Sequence, residues 1–203
     1  MAEPTWTSPS DQFVQRASAF NESPPPFALL STLFIRYLQQ HFSNTNYIRN
    51  PGLNLLVWNP DKSQSKLFIG GGMSDNVAVA SAKPAVYVGR EDVKPVDEWI
   101  DPSLINIGVG GPAEQPFVYS KFISGSHTIR CESKMPEECE LLTEEVFYSI
   151  LLFTPTICQD TNFVTMDATI SKVGKIESGI FVGQVSVTWT SNFLYCNPTV
   201  TIW

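Results

Sequence analysis

"SHTIRCESKMPEECELLTE", residues 126 to 144, decides the fold, because its pattern changes period in the middle. Up to Ser133 the chain alternates: His127, Ile129 and Cys131 share one face of an extended segment, and Thr128, Arg130 and Glu132 the other. Beyond Pro136 the steps become three and four, through Cys139, Leu142, Val146, Ile150 and Phe153, which predicts an amphipathic helix from 136 to 153. Pro136 suits a first helical position, and Glu137, Glu138 and Glu140 set carboxylates beside the unpaired amides of the first turn. Both cysteines therefore read as buried parts of a strand-to-helix joint. A metal at Cys131 would need soft ligands that the neighbourhood does not offer, and His127 lies about 13 Å away along the strand, beyond hydrogen-bond reach.

Downstream the sequence reads as β-structure. "FVTMDATISKV" (163–173) and "IFVGQVSVTWTSNF" (180–193) alternate in polarity on either side of "GKIESG", a glycine-bounded turn that predicts a long hairpin. In the second run Phe181, Val185, Val187 and Trp189 line one face. "NPTVTIW" (197–203) reads as a further strand that carries Ile202 and Trp203.

Upstream, Phe27, Leu30, Phe34, Tyr37, Leu38 and Phe42 predict a helix over 26–42, with His41 in its last turn. Leu53–Trp58 and Lys66–Ile69 read as a hairpin around "NPDKSQ", followed by a flexible turn at Gly70, Gly71 and Gly72. "PAVYVGRED" (84–92) reads as a strand. Residues 93–116 read as a loop extension of about 24 residues, long enough to suggest a functional role or a grip on a neighbour. Trp99, Ile100 and Leu104 in that loop make sense if another subunit covers them. The first 25 residues read as an arm that carries Trp6, Phe13 and Phe20 at intervals of seven. The expected organisation is thus an arm (1–25) and one α+β domain (26–203), with an antiparallel-rich sheet flanked by two amphipathic helices.

Composition narrows the function. The formal charge is 13 − 20 = −7, with no run of Lys and Arg, which works against sequence-independent binding to nucleic acid. Four dispersed cysteines without a C-x-x-C pair argue against a disulfide framework or a zinc knuckle, so no metal or other cofactor is expected. The N-terminus lacks the pattern of a secretory signal, and the longest apolar stretch noted, "FALLSTLFIRYL", has about 12 residues and contains Arg36, too short to cross a bilayer. The chain therefore reads as soluble where it is made.

The order helix, hairpin, "PAVYV" strand, long loop, "HTIRCES" strand, acidic-start helix and long hairpin resembles the tail-terminator (tail-completion) and neck proteins of tailed bacteriophages, over roughly residues 26–203. The resemblance is one of order and spacing, and no single residue is a signature. It implies a homo-oligomeric ring, usually sixfold, on the tail tube and facing the head-side connector, with DNA passing through unbound. Interface candidates are then Trp6, Phe13, Phe20, Trp99, Ile100, Leu104, Ile202 and Trp203. Glu137, Glu138, Glu140, Glu144 and Glu145 are candidates for an acidic rim or lumen. Two other classes compete. One is a monomeric β-rich module that binds carbohydrate or protein through residues 97–118, stacking Trp99, Phe117 and Tyr119 on its ligand. The other is an enzyme built on His41 or His127; no G-x-S-x-G turn supports it, and no catalytic residue is assigned.

Overall fold

In the computed structural model, residues 27–72, 83–96, 117–161, 163–176 and 179–197 are described. The elements in chain order are helix α1 (Phe27–Ser43), a 3-10 turn (Pro51–Leu53), strands β1 (Phe68–Gly71), β2 (Ala85–Pro95) and β3 (Phe117–Ser133), helix α2 (Pro136–Thr161), and strands β4 (Phe163–Ile170), β5 (Gly174–Lys175) and β6 (Phe181–Asn197). The strands form one sheet in the order β1-β2-β3-β6-β4, with β5 against the start of β6. Every pairing is antiparallel except β1 with β2, so the fold is α+β with a mixed sheet.

Both helices cover one face of the sheet. Leu30, Phe34, Leu38 and Phe42 of α1 and Leu142, Val146, Ile150 and Ile157 of α2 are buried in one core with Val86, Val88, Ile129, Cys131, Val185, Val187 and Trp189 of the strands. Register aligns these rows: Val88 lies opposite Ile129, and Ile129 opposite Val185. Two glycines permit the close approaches. At Gly183 a Cβ would sit 2.1 Å from Thr143 Oγ1, so the missing side chain is what lets α2 settle on β6. At Gly125 a Cβ would meet the Trp189 indole at 2.3 Å, and in its absence that ring spans β3 and stacks on Phe163 at 4.7 Å between centroids.

The joint at 131–144 forms as its pattern predicts. β3 ends at Ser133, whose hydroxyl accepts the Met135 N–H at 3.1 Å and donates to the Glu138 carboxylate, and α2 begins at Pro136. Burial pushes both thiols, Cys131 and Cys139, above the ordinary cysteine pKa, which suits inert core residues. The hairpin of β4, β5 and β6 also forms, and closes through Gly179 at φ +78°.

Four expectations need correction. The hairpin over 53–69 does not form: Leu53 and Leu56 are buried one helical step apart around the 3-10 turn, Leu55 is 83% exposed, and β1 pairs in parallel with β2. The glycine turn is shorter than expected, since Gly70 and Gly71 belong to β1 and only Gly72, at φ +90°, takes a turn conformation. Val93–Pro95 belong to β2 beyond a bulge between Arg90 and Val93, so the extension starts later than residue 93. Helix α2 runs on to Thr161 through Pro155, because the carbonyl that loses its partner belongs to Leu151, on the solvent side at 44% exposure. This longer helix also revises the hydropathy reading: Pro136–Gln159 is long and apolar enough to cross a bilayer by length and composition, although its inner stripe packs on the sheet.

Candidate functional site

The sheet does not end where its neighbours end. β2 pairs with β3 only as far as Ile123, and β4 with β6 only as far as Ser191. β3 and β6 continue together from Phe122↔Asn192 to Phe117↔Asn197, a two-stranded ribbon that projects roughly 20 Å beyond the sheet. The Val96 N–H still donates to the Phe122 carbonyl at 2.9 Å; beyond that bond, among the described residues, neither outer edge of this ribbon is paired.

The last cross-strand pair has a topological consequence. Phe117 follows residue 116, the end of the expected loop extension, and Asn197 precedes residue 198, where the "PTVTIW" segment starts. The 97–116 segment thus connects Val96, beside Phe122, to Phe117, and the 198–203 segment follows Asn197 at the ribbon tip. Trp99, Ile100, Leu104, Ile202 and Trp203 themselves lie outside the described residues, as do Trp6, Phe13 and Phe20 of the arm.

The acidic candidates divide. Glu137, Glu140 and Glu144 are exposed on α2, and the same helical face continues into Tyr148, Leu151 and Pro155, so it is acidic at its start and apolar at its end. Glu138 is half-buried against Ser133. Glu145 is not on a rim at all. It is 2% exposed and accepts from His41 Nε2 at 2.8 Å and from the backbone N–H groups of Arg49 and Asn50 at 3.0 and 3.3 Å. Burial alone would raise its pKa, but these hydrogen bonds together hold the carboxyl below the usual range.

The sequence places His41 in the last turn of α1, and the structure makes it the buried tie between α1 and α2, a role that periodicity alone does not assign. A signal existed: His41 lies three residues after Leu38, and Glu145 three after Leu142, each on its helix's buried stripe. Beside the tie a depression of about 200 Å³ is lined by Arg49, Asn50, Leu141, Glu144 and Tyr148. The Arg49 guanidinium there lies 4.4 Å from the Tyr148 ring centroid, so its charge already has a partner.

His127, the other imidazole, is fully buried and accepts the Trp189 Nε1–H at Nδ1, 3.2 Å away. Burial, with help from Arg90 and against Glu91, lowers its pKa to about 4, so it is neutral at pH 7. Both histidines are thus engaged inside the core. Among the described residues no group of three or more His, Cys, Asp or Glu side chains could hold a metal ion. On the face away from the helices, Glu91 accepts from Ser126 and Thr128, and Arg130 pairs with Glu132 at 2.6 Å.

Compared with models of known protein families and with curated proteins, the chain matches none.

Proposed function

We propose that this protein is a structural component of a tailed-phage virion: a neck ring that terminates the tail, joins it to the head-side connector and lets DNA pass through. The observation that carries the reading is the projecting β3–β6 ribbon, whose last pair, Phe117↔Asn197, leads into residues 116 and 198, and whose strands beyond Phe122 and Ser191 have no third strand among the described residues. Unpaired edges and apolar segments at a projection are materials from which subunit contacts are made. The resemblance in element order supports the same reading. Charge adds to it: Glu137, Glu140 and Glu144 line one exposed helix face on a chain of formal charge −7. Repeated around a ring, such a face repels a phosphate backbone rather than gripping it.

The function on this account is assembly, with tail-tube and connector proteins as partners. Native mass spectrometry of the purified protein over a range of concentrations tests it. A single closed stoichiometry, six by the resemblance, is expected. A monomer at every concentration that still folds and binds a glycan would favour the binding module instead.

A further inference from the structure

We propose that residues 9–22 of the N-terminal arm seat as a helix on the outer stripe of α2. This deepens the ring reading and rests on it in one respect: in the ring each copy gives its arm to a neighbour and receives another in its place.

Helix α2 is apolar on two sides. Leu142, Val146, Ile150 and Ile157 are buried against the sheet. Tyr148, Leu152 and Pro155 lie on the opposite side at steps of four and three, with Leu151 beside them, and Leu152 is 66% exposed. The two sides together make α2 apolar enough to cross a bilayer by composition, yet its inner stripe is committed to the core. A helix that is hydrophobic all round is ordinarily covered all round. Glu137, Glu140 and Glu144 occupy the first half of the outer stripe and confine the apolar part to the second half.

The arm carries the matching pattern. Ser8-Pro9-Ser10-Asp11 reads as a helix start, with a serine cap, a proline at the first position and a carboxylate in the first turn. Phe13, Ala17 and Phe20 then follow at steps of four and three, the same steps as Tyr148, Leu152 and Pro155. Asp11, Gln15, Ser18 and Glu22 fall on the other face, which suits solvent. The small Ala17 between two phenylalanines leaves room for Leu152.

The described helices place the arm's root at the right end. Tyr37 meets Phe153 at 5.0 Å between ring centroids, and four residues later His41 meets Glu145, so α1 and α2 run antiparallel. The start of α1 at Phe27, where the arm joins, therefore lies at the C-terminal, apolar end of α2. Phe20 and Phe13 precede Phe27 by seven and 14 residues, and Pro155 and Tyr148 precede Thr161 by six and 13. A helix laid back along α2 brings each pair to the same level, roughly 10 and 20 Å from that end. Leu141, seven residues further down the stripe, lines the depression of about 200 Å³ beside Arg49, which offers Trp6 a place. The prolines at 24–26 form a hinge outside both helices, so the same seat can be filled by a neighbour's arm, as in domain swapping.

The test is cross-linking with a bismaleimide of roughly 10 Å reach, about two helical turns, in full-length protein. Cys158→Ala and Cys196→Ser remove competing thiols, and Cys131 and Cys139 are buried. Co-expressed copies, one carrying Ala17→Cys and the other Leu152→Cys, are expected to give covalent dimers, and neither variant alone any. With Glu137→Cys in place of Leu152→Cys the link should be lost; equal linking there would mean an arm without a seat and overturn the proposal. Dimers from Leu152→Cys alone would overturn it in favour of α2 pairing with α2. A link that forms only within the chain of an Ala17→Cys/Leu152→Cys double variant would uphold the seat and overturn the exchange between copies. No link at all, in a protein that mass spectrometry shows to be a ring, would overturn the seat and leave the ring reading standing.

Discussion

His41 and Glu145 are 104 residues apart in sequence and 2.8 Å apart in space, and the same carboxylate also holds the Arg49 and Asn50 amides. One side chain thus fastens the end of α1, the segment entering the 3-10 turn and the middle of α2. Glu145→Ala leaves an imidazole and two backbone amides without their acceptor inside the protein, so a loss of roughly 3–5 kcal/mol in urea unfolding is expected. The Glu145 pKa is lower folded than unfolded, so its contribution is present above about pH 4.3 and is lost as pH falls through the folded value. His127 acts higher on the scale. Its pKa falls from 6.5 unfolded to about 4 folded, so between those values the unfolded chain binds more protons and stability declines on acidification, by roughly 3 kcal/mol in all. His127→Gln, which keeps an acceptor available to Trp189, should flatten the pH 4 to 6.5 stage of a melting-temperature profile while leaving the lower stage in place.

At the scale of elements, α2 meets the sheet through Thr143 over Gly183. Gly183→Ala drives a methyl into Thr143 and should cost at least 1–3 kcal/mol. Thr143→Ala in the same chain should recover part of that loss, giving a coupling of about 0.5–3 kcal/mol in a double-mutant cycle followed by urea unfolding. Pro155→Ala restores an amide to the outer side of α2 and should raise stability by roughly 1–3 kcal/mol in the same assay.

The elements readable from sequence are those with a long, single period. α1 with its buried Phe34, Leu38 and Phe42, the change of period at Ser133, and the alternation leading to Trp189 all form as patterned. The 53–69 hairpin was misread because a short apolar run fits a helical step as well as a strand, and the exposure of Leu55 between buried Leu53 and Leu56 is a tertiary outcome. Parallel pairing of β1 with β2 has no signal in a turn, since the connection runs through residues 72–84. Val93–Pro95 read as loop because the exposed end of an edge strand, past a bulge and with Lys94 and Pro95, carries no apolar alternation. Of the site, the aromatic and apolar candidates were legible only as residue types at the ends of segments. The ribbon itself came from the register of β3 with β6 out to Phe117↔Asn197, which periodicity does not give.

For the whole molecule, the account requires the domain to fold without its arm and to assemble less well without it. Deletion of residues 1–22 should leave the circular dichroism spectrum and unfolding midpoint close to those of the full chain and raise the concentration needed for assembly. Loss of folded protein on that deletion would assign the arm to the core instead. The most direct test of the ring itself is negative-stain electron microscopy of the full chain at high concentration, with class averages examined for rotational symmetry. Closed rings with a central hole at least about 20 Å wide, enough for a DNA duplex, are predicted; uniform compact particles with no symmetry or hole, alone and in the presence of tail tubes, would contradict the account.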